Sequence, residues 1–381
     1  MAYIPYGKQY IDEDDILAVI DVLKSDWLTT GPKVQEFERR LAEQVNAKYV
    51  VAFSSGTAAL HGAYFSAGIK KGDEVITSPI TFAATANAAC YLRAKPVFVD
   101  VESTTVNINP QEMETAITPN TRVIAPVDFT GQPADMEAVM EIARKHNLIV
   151  VEDAAHALGA TYKGKPVGSI ADMTVFSFHP VKHITTGEGG AVATHSEEYY
   201  QKLLSFRNHG ITKDTRQLTE YHGPWYHEMQ FLGYNYRITD IQCALGISQL
   251  KKLNTFLKRR REIAQIYIQK LKDIVEIELP VMVSDCNPAW HLYVIRLARE
   301  NPRRRAIFEA LQSRGIGVQV HYIPVYRHPY YRMLGYRKGL CPKAEDYYQR
   351  CISLPIFPAM TDKDIDSVIN GLKSVIKEIY S

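Results

Sequence analysis

Cysteine is scarce in this chain, with five residues in 381. Cys90, Cys243, Cys286, Cys341 and Cys351 are odd in number, and their spacing fits neither a disulfide framework nor a zinc site. Free thiols in a cytoplasmic protein, with no metal centre, are the expectation. Excess charge is missing too. Lys and Arg total 44 against 42 Asp and Glu, a net charge of +2, so the balance gives no argument for a nucleic-acid or membrane partner. No stretch of about 18 apolar residues occurs, which removes a helical membrane span. The opening residues hold no basic segment followed by an apolar run, so no secretory leader is expected. No G-x-G-x-x-G lies between a strand and a helix early in the chain, which disfavours a dinucleotide-dependent dehydrogenase. Internal repeats, low-complexity tracts and Gly/Ser-rich linkers are absent as well.

What is present is ample core material. Hydrophobic residues make up 46% of the chain, and the length suggests two domains. The first half alternates short β-rich runs with helical ones. Strands are expected at 49–53, 74–77, 96–100, 123–127, 148–152 and 174–178, with one more at 191–194 that could run antiparallel. Between them, 133–146 carries apolar residues at Met136, Val139, Met140 and Ala143, which is helical spacing. Continuous Val/Ile runs separated by helices predict a mostly parallel sheet covered on both faces. After Ile238 a long amphipathic pattern reads as one helix, or two joined near Asn254. Short strands follow at 290–297 and 317–321, with helices at 303–314 and 362–379. The large domain is set at 1–250 and the small one at 251–381. Two basic runs, 258–261 and 303–305, read as solvated helix faces.

Three segments carry candidate chemistry. Ser54-Ser55-Gly56-Thr57 follows a strand and opens a helix. The first N–H groups of a helix lack internal partners and favour an anion, so a phosphate fits there; a plain N-cap is the bland alternative. Asp153 ends a predicted parallel strand, where ligands gather in open α/β sheets, and could equally be an ion-pair partner or a strand cap. Lys182 sits in FSFHPVKHITTGEGG, a stretch of Ser, Thr and Gly after a strand. An exposed loop lysine is the ordinary reading, yet a lysine amine can form a Schiff base with a carbonyl cofactor. An Asp to pair with a ring nitrogen, a Lys to hold an aldehyde and a phosphate cradle upstream are together explained by pyridoxal phosphate. Phe82 could stack on its ring, although alone it reads as core. His156 could meet the ring hydroxyl or bond within a turn.

At these residues the chain resembles the DegT/StrS sugar-nucleotide aminotransferases. The motifs are SSGTAAL, SPITFAATANA, VVEDAAHALGA, FSFHPVKHITTGEGG and GYNYRITDIQCALG. The resemblance implies an α/β, aspartate-aminotransferase-like architecture of fold type I: a large domain with a mostly parallel seven-stranded sheet and a smaller α+β C-terminal domain. It also implies roles. Lys182 would hold the cofactor and shuttle a proton, and Asp153 would keep the ring nitrogen protonated. Phe82 would stack, His156 would lie near the ring hydroxyl, and Ser55, Gly56, Thr57 and Ser177 would hold the phosphate. Asn235 would reach the phosphate of the other subunit, which implies a homodimer with shared sites.

Within the family, IPYGKQYIDEDD, SDWLTTGP, DFTGQPADM, HGPWYHEMQFLGYNYRITD and VQVHYIPVYRHPYY are similar to the 4-aminotransferases of pseudaminic acid biosynthesis. That subgroup implies a UDP-linked 4-keto-6-deoxy-N-acetyl-altrosamine as acceptor and L-glutamate as donor. Tyr6, the segment Asp26, Trp27, Leu28 and Thr29, and the segment His321, Tyr322, Ile323 and Pro324 would line the sugar pocket, the last segment reaching across the dimer. Arg237 and Lys8 could meet the diphosphate, although solvent is the ordinary place for either. A dehydratase or lyase on the same scaffold, and a non-catalytic sensor that keeps the cofactor, are the competing readings. Related dehydratases carry histidine where this chain has Lys182, which favours transamination. Related transcription regulators carry a DNA-binding extension ahead of the first motif, and none is expected here.

Overall fold

The computed structural model describes residues 3–298 and 303–380. Residues 1–2, 299–302 and 381, which fall inside the expected large and small domains, lie outside the described residues. Seven strands build the main sheet: β1 (Tyr49–Phe53), β2 (Glu74–Thr77), β3 (Lys95–Phe98), β4 (Thr121–Ala125), β5 (Ile149–Asp153), β6 (Met173–Ser177) and β7 (Gly190–Thr194). Their order is β1-β7-β6-β5-β4-β2-β3. Only β7 runs against its neighbours, pairing antiparallel with both β1 and β6. The fold class matches the expectation, and each strand expected in the first half of the chain lies within a few residues of its place.

The strands are apolar on both faces because both faces are covered. Side chains alternate along a strand. Val51 and Phe53 of β1 enter one core, with Leu60 and Tyr64 of the helix α1 (Gly56–Ser66). Val50 and Ala52 enter another, with Phe37, Ile247 and Leu257 on the opposite face. Helices α2 (Ala84–Tyr91) and α3 (Met136–His146) follow β2 and β4. The long amphipathic run is a single helix, α4 (Asp240–Leu271), continuous through Asn254. Thr239 starts it with a capping box: its hydroxyl accepts from Gln242 N, and the Gln242 side chain accepts from Thr239 N.

At about 1.5 Å per residue, α4 is roughly 48 Å long and spans two cores. Leu253 and Leu257 pack on the main sheet. Ile263, Tyr267 and Leu271 pack on a smaller one built from β8 (Ile277–Glu278), β9 (Tyr293–Leu297) and β10 (Cys351–Leu354). The helices α5 (Arg304–Ser313) and α6 (Asp362–Tyr380) cover that sheet. The expected 250/251 boundary falls inside α4. The expected strand at 317–321 is one bridge, Gln319 to Ser353. Ile4 takes the neighbouring backbone groups instead, donating to Gly315 O at 2.8 Å and accepting from Gly317 N at 2.7 Å.

The basic run at 258–261 is not a solvated face. Arg260 is fully buried, Arg261 donates to the carbonyls of Pro288 and Gly159, and Arg259 pairs with Asp362. Lys258 alone among them is exposed. Among the described residues, no helix is long and apolar enough to cross a membrane.

Candidate active site

Parallel strands deliver their C-terminal ends to one edge of the sheet, and a cavity of about 540 Å³ opens there. The end of β1 leads into α1, whose N-cap Ser55 accepts a hydrogen bond from Ala58 N at 3.1 Å. That leaves the Gly56 and Thr57 N–H groups at the helix start without intrahelical partners. Ser177, the last residue of β6, stands beside them, and all four residues line the cavity. The cradle tolerates no bulk. A Cβ on Gly190 would come within 2.6 Å of Gly56 N and of the Ser55 backbone, and one on Gly56 within 3.1 Å of Ser177 Cβ.

Asp153 closes β5 and is 4% exposed. Its Oδ2 accepts from the Thr85 hydroxyl at 2.6 Å and its Oδ1 from Ala155 N at 3.1 Å. Burial raises its pKa, while these bonds and the nearby Lys182 charge pull the other way. Lys182 sits where the chain turns between β6 and β7. Its Nζ lies 3.4 Å from His291 Nε2. Burial lowers its pKa to about 7, with Asp153 opposing the fall and Arg260 adding to it.

Imidazoles crowd this end. His156 and His291 rings are 4.3 Å apart, and His183 lies 5.7 Å from His291. Burial, helped by the Lys182 charge, keeps all three well below the ordinary histidine pKa. His321, with Nδ1 2.7 Å from Ser353 Oγ, is lowered to about 4. His156 Nε2 is 3.3 Å from the Tyr322 hydroxyl, and its Nδ1 is buried without a partner.

The structure therefore brings together Ser55, Gly56, Thr57, Phe82, Asp153, His156, Ser177, Lys182, Tyr6, His321 and Tyr322 around one cavity. Phe82 is not core: it is 62% exposed and faces open space. His321 and Tyr322, expected to reach across a dimer, line the cavity of their own chain. The Gln319–Ser353 bridge and the Val325 N bond to Pro79 O, 3.0 Å, tie the segment down in place.

Ile323 and Pro324 do not line the cavity. Neither do Asp26, Trp27, Leu28 and Thr29. They are exposed at the start of α4, where Leu28 O accepts from Asp240 N and Thr29 bridges Thr239. Asn235 is exposed outside the cavity, in a bridge with Asn208. Arg237 donates to Asn208 Oδ1 at 2.7 Å, and Lys8 is exposed.

Three participants escape sequence reasoning. Thr85 lies 68 residues from the Asp153 it holds, and His291 lies 109 from Lys182. Arg260 hides within a basic run. Only the folded chain assembles these contacts, although Thr81 and Thr85, one helical turn apart, carry a weak signal. They are bonded at 2.7 Å.

A family model described as the DegT/DnrJ/EryC1/StrS aminotransferase family matches residues 9–373. The chain belongs to this family. It is thus an aminotransferase, and relatives extend over its whole length. The Bacillus subtilis spore coat polysaccharide biosynthesis protein SpsC is 43% identical over 98% of this chain and 97% of its own. A Campylobacter jejuni protein named UDP-4-amino-4,6-dideoxy-N-acetyl-beta-L-altrosamine transaminase is 40% identical over 99% and 98%. The solved structure of a sugar aminotransferase from Streptococcus pneumoniae in its PLP form superposes with a TM-score of 0.93, at 32% identity, covering all of both chains.

The cavity fits pyridoxal phosphate on its own evidence. It offers an anion cradle that a Cβ would fill, a buried carboxylate for a ring N–H, an amine with a depressed pKa, and a buried imidazole nitrogen still lacking a partner.

Proposed function

We propose that this family member uses pyridoxal phosphate to move an amino group from L-glutamate to C4 of a UDP-4-keto-6-deoxy-N-acetylhexosamine. The acceptor we favour is the altrosamine sugar of the pseudaminic acid route. The observation that carries the reading is Lys182: a half-buried lysine whose amine is lowered to about 7, in one cavity with the Asp153 carboxylate. The sugar assignment draws on the 40% identical altrosamine transaminase and on the chain segments quoted above.

Bound pyridoxal phosphate supplies an electron sink that lets a C–H bond beside the amino nitrogen lose its proton. The chain supplies the rest. Asp153 would hold the ring N–H, its Oδ2 anchored by the Thr85 hydroxyl and its Oδ1 by Ala155 N. Ser55, Ser177 and the N–H groups of Gly56 and Thr57 hold the phosphate. Phe82 offers a flat side chain to the ring, and His156 a nitrogen to its hydroxyl. Lys182 Nζ takes the proton from the donor carbon and returns it during the sugar half-reaction. A general base works best with a pKa near the operating pH, which burial here provides. Tyr6, His321 and Tyr322 bound the side of the cavity open to a sugar.

We assign the chain to a homodimer in which the partner's Asn235 completes the phosphate site and the exposed segment 26–29 of each subunit faces the other's sugar pocket. Five free cysteines fit a reducing, cytoplasmic setting. Incubating enzyme, L-glutamate and the altrosamine keto sugar tests the reading. It expects equimolar 2-oxoglutarate and 4-amino sugar. Sugar consumption without 2-oxoglutarate would point to a lyase. Turnover confined to other 4-keto sugars would keep the chemistry and reject the pathway.

A further inference from the structure

Arg260 stands out among the buried groups. Its guanidinium is fully buried on α4, and among the described residues no carboxylate pairs with it. Its partners are four main-chain carbonyls. Nη1 donates to Ile356 O at 2.9 Å, Trp290 O at 3.1 Å and His291 O at 3.4 Å, and Nη2 donates to Val181 O at 3.3 Å. Carbonyl dipoles can solvate a buried cation without neutralising it, whereas a carboxylate would cancel its field. Val181 precedes Lys182 in the chain, and the His291 ring touches Lys182 Nζ. One side chain thus holds both the strand-connecting turn that carries the lysine and the segment that carries its imidazole neighbour.

We propose that Arg260 is a positioning residue for the transfer: held by carbonyls alone, it fixes the 181–182 and 290–291 segments together and sets a permanent positive charge behind the Lys182 amine. The other groups facing that amine fit this division. His156, His183, His291 and His321 are held neutral by burial, which leaves Asp153 as the counter-charge and Arg260 as the cation. Burial favours the neutral amine and the charge of Arg260 adds to it against the pull of Asp153, so a free electron pair is ready to accept the proton. The inference rests on Lys182 as the proton-carrying group.

The test uses the cofactor-free full chain and no turnover. Competitive acetylation of Lys182, followed by mass spectrometry across pH, gives the midpoint at which the amine loses its proton. The wild type is expected to react with a midpoint far below an ordinary lysine. Arg260→Gln keeps donors for the carbonyls but drops the charge, and should raise the midpoint by about one pH unit or more. Arg260→Lys keeps the charge and should stay near the wild type. A folded Arg260→Gln protein with the wild-type midpoint overturns the proposal, as does an ordinary lysine midpoint in the wild type. If Arg260→Gln does not fold, Arg260→Lys decides: a retained midpoint supports the proposal, and an ordinary lysine midpoint overturns it. Failure of both variants to fold assigns Arg260 to the fold alone and overturns it too. An ordinary midpoint in the wild type would also count against the proposed function, whereas the variant results leave that reading alone, which is tested separately by a Lys182-dependent cofactor band.

Discussion

The cavity lies between two buried ionisable clusters that burial drives in opposite directions. At one end, Asp128, Glu152 and Asp153 sit around the tip of β5. Burial raises Asp128 well above the ordinary value and Glu152 to about 7, the negative neighbours adding to the rise. At the other end, burial lowers Lys182 to about 7 and keeps four histidines neutral. The same desolvation makes acids keep protons and bases shed them. Each end is left with one group braced toward its charged form. Asp153 has two donors and Lys182 beside it, while burial pushes Asp128 and Glu152 toward their protonated forms. Arg260 has its ring of carbonyls. At the acidic end the charge rests on Asp153, which lines the cavity, and at the basic end on Arg260, which lies behind the lining.

The comparison breaks first if Asp153 is only one carboxyl among three. Asp153→Asn keeps the shape but cannot hold a ring N–H⁺, and should lower kcat by about 100-fold or more. Glu152→Gln should leave kcat within a few-fold of the wild type. Steady-state kinetics on both variants checks the contrast, and equal losses would dissolve it.

Gly190 belongs to neither cluster. Gly190→Ala forces a Cβ against the Gly56 N–H and the Ser55 backbone, and should destabilise the protein by about 1–3 kcal/mol. It should weaken cofactor retention without moving the Lys182 midpoint. Thermal unfolding with and without added pyridoxal phosphate reads the first effect, and amine labelling the second.

The smallest effect is a pair of pH slopes. Glu152 has a folded pKa near 7 against an ordinary 4.5. Between those values the folded state binds more protons than the unfolded one, so this group's contribution to stability falls as pH rises and is flat above about pH 7. Lys182 has a folded pKa near 7 against an ordinary 10.5. Across that upper window the unfolded state binds more protons, so its contribution rises with pH. Denaturant titrations in a pH series should show the lower slope reduced in Glu152→Gln and the upper one reduced in Lys182→Met. Slopes unchanged by either substitution would contradict the assignment.

Sequence made the main sheet legible because its strands are buried on both faces and so read as unbroken apolar runs, such as YVVAF and LIVVE. It missed β10, whose sequence CISL is short and half small or polar. It placed a strand at 317–321, where Ile4 from the start of the chain claims the backbone. The site was legible where one residue ends a strand or caps a helix, as at Asp153 and Ser55, and where a lysine stands in a loop of small residues after a strand, as at Lys182. It was illegible where the partner comes from far along the chain. Phe82 reads as core because nothing local says that a cavity lies beneath it. Arg260 reads as solvated because its three neighbours in the run, Lys258, Arg259 and Arg261, do reach the surface or its edge. Its burial is a tertiary fact, fixed by carbonyls at 181, 290, 291 and 356.

The absorption spectrum of the protein saturated with pyridoxal phosphate, wild type beside Lys182→Ala, tests the central claim most directly. The account predicts a visible band in the wild type that Lys182→Ala lacks, that bleaches on adding L-glutamate, and that returns with a UDP-4-keto-6-deoxy sugar. A wild type with no visible band, or a band indifferent to Lys182, would contradict it.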